Sequence, residues 1–110
     1  MKTARLEDMT KGWFVGAFSP TAHATDACEV GVKRYKAGDK EAAHLHKVAT
    51  EITLVLEGRV RMAGAEWSAG DIVALDPGEA SDFECLADAV TIVVKTPGAL
   101  DDKYFVEGSS

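Results

Sequence analysis

Apolar and polar residues alternate with a period of two along much of this chain, in short runs broken by Gly and Pro turn signals. That alternation puts successive side chains on opposite faces of a β-strand. It predicts strands over residues 13–18, 28–35, 43–46, 51–57, 59–62, 66–68, 72–75, 82–86 and 90–95. Between them lie Gly12, Ser19-Pro20, Ala37-Gly38-Asp39, Gly58, Ala63-Gly64, Ala69-Gly70-Asp71, Asp76-Pro77-Gly78 and Pro97-Gly98. No segment has the periodicity of a long amphipathic helix. Many short strands with such turns predict an all-β sandwich or barrel. Residues 1–11 admit either one helical turn or a stretch lying along the sheet, and Gly108-Ser109-Ser110 reads as a frayed end.

Strand parity carries more than strand existence. In residues 51–57 one face holds Glu51, Thr53, Val55 and Glu57, and the other holds Ile52, Leu54 and Leu56. The mixed face suits a ligand cavity, with Glu57 solvated near a rim. The aliphatic face needs cover from a second sheet or a partner subunit. Burying its three side chains is worth roughly 4–9 kcal/mol in gross transfer terms, so a homodimer is expected.

Composition narrows the class. A chain of 110 residues fits one domain, residues 1–110, with a single core. The 46% apolar and 27% charged content is that of an ordinary globular protein. Twelve basic against 18 acidic residues leave a net charge of −6, which disfavours nucleic acid and anionic membranes as partners. No apolar run is long enough for a membrane-spanning helix. The first residues turn acidic where a signal peptide needs an apolar stretch, so the cytoplasm is the expected compartment. Cys28 and Cys85 form no CxxC pair and read as two free thiols in or near the core.

The chemistry concentrates between Gly38 and Gly58. Gly38 is followed after five residues by His44-Leu45-His46, then after four by Glu51, then after six by Gly58. Two histidines one residue apart share a face on a strand and not on a helix. A carboxylate returning from a neighbouring antiparallel strand completes a two-His-one-carboxylate site for a divalent ion. Other residues carry less. His23 reads as a solvated loop residue, Trp13 and Phe14 as packing residues, and Asp101-Asp102-Lys103 as exposed. Tyr35 and Trp67 are candidates either for a cavity wall or for the core. Lys33, Arg34 and Lys36 form a basic group, read as a solvated face with an anion-binding role as the minority alternative. There is no Gly-x-Ser-x-Gly nucleophile motif and no Gly-rich phosphate loop.

The spacing of Gly38, His44, His46, Glu51 and Gly58 resembles the first motif of the cupins: Gly, five residues, His-x-His, three or four residues, Glu, six residues, Gly. The second cupin motif, Gly-Asp, four residues, Pro-x-Gly, two residues, His, resembles residues 70–83. Gly70-Asp71, Gly78 and Phe83 agree with it, whereas Asp76 takes the place of its Pro and Ser81 that of its third metal-binding histidine. The resemblance covers about residues 28–95. It implies a jelly-roll β-barrel of two packed antiparallel sheets and, as small cupins commonly pair, a dimer.

With three ligands, His44, His46 and Glu51, the site would hold Fe(II), Mn(II), Zn(II) or Ni(II) and leave positions open for a small polar substrate. Ser81 could hold a metal-bound water; Glu79 and Asp82 are weaker candidates for a fourth ligand, and with Tyr35 these make up the expected pocket. Two functions stand side by side: a metal-dependent oxygenase or isomerase, and a non-catalytic cupin that binds or senses a small ligand.

Overall fold

The computed structural model describes residues 1–106, and the expected fraying of Gly108-Ser109-Ser110 lies outside them. Among the described residues eight strands form: β1 Trp13–Val15, β2 Glu29–Tyr35, β3 Lys40–Leu45, β4 Thr50–Met62, β5 Ala65–Ser68, β6 Ile72–Leu75, β7 Ser81–Thr96 and β8 Tyr104–Phe105. All pairings between them are antiparallel. Helical structure among the described residues is limited to two 3-10 turns, Leu6–Asp8 and Thr10–Gly12. The second lies along β2, where Gly12 presses against the Val32 backbone and Lys33 Nζ donates to the Lys11 carbonyl. Both alternatives for the opening segment are thus realised together. Among the described residues no helix is long and apolar enough to cross a membrane.

Two long strands organise the rest. β4 and β7 pair along nearly their whole lengths, from Thr50↔Thr96 to Met62↔Phe83. The C-terminal half of β7 takes β2 on its other edge, and the N-terminal half takes β3. The first half of β4 takes β6 and the second half β5. The result is two half-sheets, β1-β2-β7-β4-β6 and β8-β3-β7-β4-β5, joined through the two strands they share. The expected pair of packed sheets is therefore one continuous sheet folded on itself, and it does not close into a ring.

The fold line explains a discrepancy with the sequence reading. Gly58 was expected to end a strand, and so was the gap before Val90. Instead each long strand continues through a run of register shifts between Val55 and Val60. Such bulges bend a strand without ending it. Gly58 has a φ of +83°, and a Cβ there would meet the Asp88 carbonyl oxygen and lie 2.7 Å from Ala89 Cα. Only glycine fits both demands. Beside the bend, Val55, Val60, Thr91 and Cys85 are fully buried and anchor the core, with Met62, Val73, Phe83 and Ala89 around them.

Parity in β4 is as expected: Thr53 and Val55 are buried, whereas Ile52 and Leu54 are half-buried on the outer face. Leu56 remains 44% exposed. Glu57, on the bend, is exposed too. Cys28 and Cys85 are both free, with Cys85 buried.

Candidate functional site

The cleft between the half-sheets holds the histidines on one wall and the carboxylate on the other. His44 lies on β3, opposite Ser81 of β7 and Phe105 of β8. The β3–β7 ladder is irregular between Glu41 and His44. His46 follows the end of β3, and a turn over Lys47, Val48 and Ala49 leads into β4. Glu51 then sits beside Leu75 of β6 and Lys95 of β7. The expectation that Glu51 returns on a strand paired with the histidines is corrected here. β3 and the first half of β4, which carries Glu51, belong to opposite half-sheets, and the three groups meet across the cleft rather than along a ladder.

One ligand atom from each of His44, His46 and Glu51 lies within 4.8 Å of the others. His46 Nε2 is 2.6 Å from Glu51 Oε2. Both rings have the same backbone arrangement behind them. His44 Nδ1 lies 3.0 Å from the Ala42 carbonyl oxygen, and His46 Nδ1 lies 2.9 Å from that of Asp102. A carbonyl oxygen only accepts, so each Nδ1 donates to the backbone and each Nε2 is turned to the cleft; between His46 Nε2 and Glu51 Oε2 a shared hydrogen takes the place that a cation would occupy. A backbone carbonyl behind a ligating imidazole fixes tautomer and ring orientation. Two imidazole nitrogens and a carboxylate also suit first-row divalent ions. The residues present therefore fit a metal ion.

Asp102 is the residue that the sequence reading missed. Read as exposed, it is only 6% exposed. Its carboxylate accepts hydrogen bonds from the backbone N–H groups of Lys47, Val48 and Ala49, at 3.0–3.2 Å. One side chain thus satisfies the turn between the histidines and Glu51, while its own main-chain carbonyl holds His46. Burial pushes the Asp102 carboxyl up; the three N–H donors and the neighbouring His46 outweigh it and hold the pKa below the usual carboxylate range. Only the density of acidic residues near Asp101-Asp102 marked the segment in the sequence, and that signal reads more naturally as solvated surface.

The remaining candidates fall into place as follows. Tyr35 lines the inner cavity, stacks near Phe83 with ring centroids 4.4 Å apart, and donates to Glu41 Oε1 at 3.0 Å. Burial, with Glu41 adding to it, pushes the Tyr35 hydroxyl well above its ordinary pKa. It is thereby kept as a proton-bearing donor. Glu41 is a second wall residue that the sequence did not mark. Ser81 lies beside the cavity, but its hydroxyl accepts from Ala63 N–H at 2.8 Å and donates to the Asp82 carbonyl at 2.6 Å. It is committed to the backbone, which leaves little for holding a water on a metal. Glu79 and Asp82 line the inner cavity as expected, but Glu79 caps its own turn by accepting from Asp76 N–H at 2.9 Å, and both are mainly exposed. Neither belongs to the converging group of His44, His46 and Glu51. Trp67 packs on the core and donates to the Met62 carbonyl. His23 is exposed. Trp13, expected only to pack, lines a cavity that opens in front of the histidines, together with Lys33 and Lys95.

Comparison with solved structures gives this architecture its place. A protein with a double-stranded β-helix domain from Klebsiella pneumoniae is similar over 76% of this chain and 78% of its own, with a TM-score of 0.67 and 22% identity. A cupin-2 domain protein from Shewanella frigidimarina is similar over 66% of this chain and 72% of its own, with a TM-score of 0.58 and 13% identity.

This chain has the cupin fold.

Oxalate decarboxylase from Bacillus subtilis, a protein with Mn(II) centres, is similar over 74% of this chain with a TM-score of 0.63 and 18% identity. The match spans only 24% of that enzyme's length. No family model and no curated protein sequence matches the chain. In a cupin fold, the departures at Asp76 and Ser81 acquire a position: Ser81 stands directly opposite His44 on the β3–β7 ladder.

Proposed function

We propose that this cupin-fold chain, as one domain over residues 1–110, binds a divalent metal ion through His44, His46 and Glu51 and uses it to act on a small polar molecule by oxygenation or isomerisation. The observation that carries the reading is the convergence of the three side chains, with both Nδ1 atoms already tied to backbone carbonyls. A bound Fe(II), Mn(II), Zn(II) or Ni(II) ion would supply Lewis acidity or, for the redox-active ions, access to dioxygen chemistry. The chain's own residues do the rest. Asp102 and Ala42 orient the imidazoles. Tyr35, kept protonated, presents a hydroxyl beside the cleft, and Glu41 holds it in place. Met62, Phe83 and Val93 line the inner cavity and limit water there.

A second reading is favoured by Ser81. With its hydroxyl bound to Ala63 and Asp82, the position of the third cupin histidine offers no ligand. The chain would then be a binding or sensing cupin without turnover. Metal analysis of protein made without an affinity tag and purified without chelator separates the two. One metal per chain in the wild type and its loss in a folded His46→Ala variant support the metal site. No stoichiometric metal under any loading condition removes it.

We also propose a homodimer formed through the outer face of β4 and its neighbours. Ile52, Leu54 and Leu56 continue onto Ile92 of β7 and Ile72 of β6, and Ile72 is 63% exposed. An aliphatic face of this extent is unusual on a monomer. The cytoplasm is the compartment that two free thiols suit.

A further inference from the structure

In a chain of net charge −6, the mouth of the cleft is basic. A cavity of about 280 Å³ opens in front of His44, His46 and Glu51, and its lining includes Lys11, Lys33, Lys95 and Lys103. Its carboxylates are Glu41 and Glu51, both engaged, by Tyr35 and His46 respectively. Four lysines against two carboxylates leave the lining with a formal surplus of two positive charges.

The placement follows from strand parity. Lys33 shares the inner face of β2 with Gly31 and Tyr35, and Lys95 shares that of β7 with Thr91 and Val93. Gly31 lets the Trp13 ring lie against β2, since a Cβ there would come within 2.8 Å of it. The Lys33 and Lys95 ammonium groups stand 5.1 and 4.9 Å from the centre of that ring. Trp13 thus gathers both lysines at the entrance. Neither ammonium forms a salt bridge among the described residues. Burial lowers the pKa of Lys33; Glu41 opposes this, and Lys11, Lys95 and Lys103 add to it as like charges. Lys33 Nζ has the neutral Lys11 carbonyl as its hydrogen-bond acceptor, and half-burying two ammonium groups side by side with no carboxylate in direct contact is unfavourable unless an anion visits. Deeper in, a recess of about 40 Å³ is lined by Thr91, whose buried Oγ1 has no hydrogen-bond partner among the described residues. A polar inner end of a ligand would satisfy it.

We propose that this cavity binds a small carboxylate, its charged group held by the ammonium groups of Lys33 and Lys95 and its other polar end directed to His44, His46 and Glu51. The proposal rests on reading the cleft as the functional site and names its substrate class. Size agrees: drug-sized ligands occupy roughly 300–1,000 Å³, so this cavity suits a small metabolite. A carboxylate is favoured over a phosphate because the lining holds no arginine fork, helix N-terminus or Gly-rich loop.

The test is calorimetric titration of metal-free protein at low salt with acetate, malonate, succinate, the neutral malonamide and inorganic phosphate. Without metal, no carboxylate can bind by chelation. At least one carboxylate is expected to bind saturably, weakening as salt is raised. Malonamide should bind at least about tenfold more weakly than malonate. Lys33→Met and Lys95→Met keep the aliphatic stems on Trp13, and each should weaken carboxylate binding about tenfold. Zinc affinity should stay within about threefold in both, since neither is a ligand. The salt and malonamide comparisons use wild-type protein and hold even if a variant fails to fold. No carboxylate binding at millimolar concentration, equal binding of malonamide and malonate, or full binding by the folded double variant overturns the proposal. Phosphate binding tighter than every carboxylate overturns the substrate class. Carboxylate binding in a protein that takes up no zinc would leave this inference standing and remove the metal reading. Zinc uptake without carboxylate binding would do the reverse.

Discussion

Replacing Asp102 with Ala tests whether the segment that bears it, a strap across the turn between His46 and β4, is part of the site. The substitution removes a carboxylate that three backbone N–H groups share. Hydrogen bonds to a charged acceptor are worth about 1.5–3 kcal/mol each, but the three losses do not add in full. Lys47 and Val48 are exposed, so their N–H groups can turn to water, whereas Ala49 is 1% exposed and its donor is left stranded. The expected loss is therefore near one full bond plus a fraction, about 2–3 kcal/mol in urea unfolding at neutral pH. For a domain of this size that lowers Tm by on the order of 10 °C.

The same carboxylate sets a pH signature. Its folded-state pKa lies below the usual value, so the unfolded chain binds the proton more readily. The stabilisation is complete above the unfolded value, near about 3.9, and is lost as pH falls through the lower folded value. The gap between wild type and Asp102→Ala should hold steady from neutral pH to about 5 and narrow only in stronger acid. Freeing the strap also frees the carbonyl that orients His46. Metal affinity should then fall about 10–100-fold, as for other partners of ligating histidines. A variant within about 0.5 kcal/mol of wild type, or a gap that widens in acid, would refute the reasoning.

Gly58→Ala should cost more than about 2 kcal/mol, because the new Cβ meets fixed backbone at Asp88 and Ala89 in a left-handed conformation; a loss under about 0.5 kcal/mol in denaturant titration would mean that the bend relaxes freely. Ser81→His should move two readouts in opposite directions: tighter metal binding by calorimetry, and stability lower by about 1 kcal/mol as Ala63 N–H loses its acceptor. Unchanged metal affinity would show that position 81 does not reach the site. Ile72→Glu should halve the mass found by light scattering at micromolar concentration while the circular dichroism stays β-type; a monomeric wild type would remove the homodimer outright.

What could be read from the sequence was local, and what could not was paired over long distances. Period-two alternation located β2, β5, β6 and the outer ends of β4 and β7 to within one residue, because a strand's faces are written in neighbouring residues, whereas one end each of β1 and β3 was misplaced. The His44-Leu45-His46 and Glu51 spacing was legible as a motif, although the three groups converge across the cleft rather than on paired strands. Gly58 was misread because a positive-φ glycine looks the same at a strand end and at a bulge. Only pairing with β7 on both sides of the bend tells them apart. β8 was missed because two residues carry no periodicity. Asp102 was misplaced because its partners, Lys47, Val48 and Ala49, lie more than fifty residues away.

Arg34 and Lys36 are solvated as read, but Lys33 of the same group turns inward and is half-buried, for a more instructive reason. In β2 the apolar set is Val30 and Val32, and hydrophobicity alone would turn that set inward. The structure turns Glu29, Gly31, Lys33 and Tyr35 inward, opposite Thr91, Val93 and Lys95 of β7 and Glu51 and Thr53 of β4. Val30, Val32, Ile52, Leu54, Ile92 and Val94 form the outer face, and none of them is fully buried. This half-sheet is thus more apolar outside than inside. An ordinary one-sided sheet has the opposite polarity, with its apolar face on the core. Such an inversion is stable only when the inner polar groups find partners and the outer apolar ones find cover. Inside, the histidines, Glu51 and Asp102 are already matched, whereas Lys33 and Lys95 have no carboxylate in salt-bridge contact among the described residues and the Thr91 hydroxyl has no partner there, and a bound anion with a polar inner end would match them. Outside, a second copy of the chain would supply the cover. The proposed ligand and the proposed dimer are therefore two answers to one feature of the sequence, the reversed polarity of a single half-sheet.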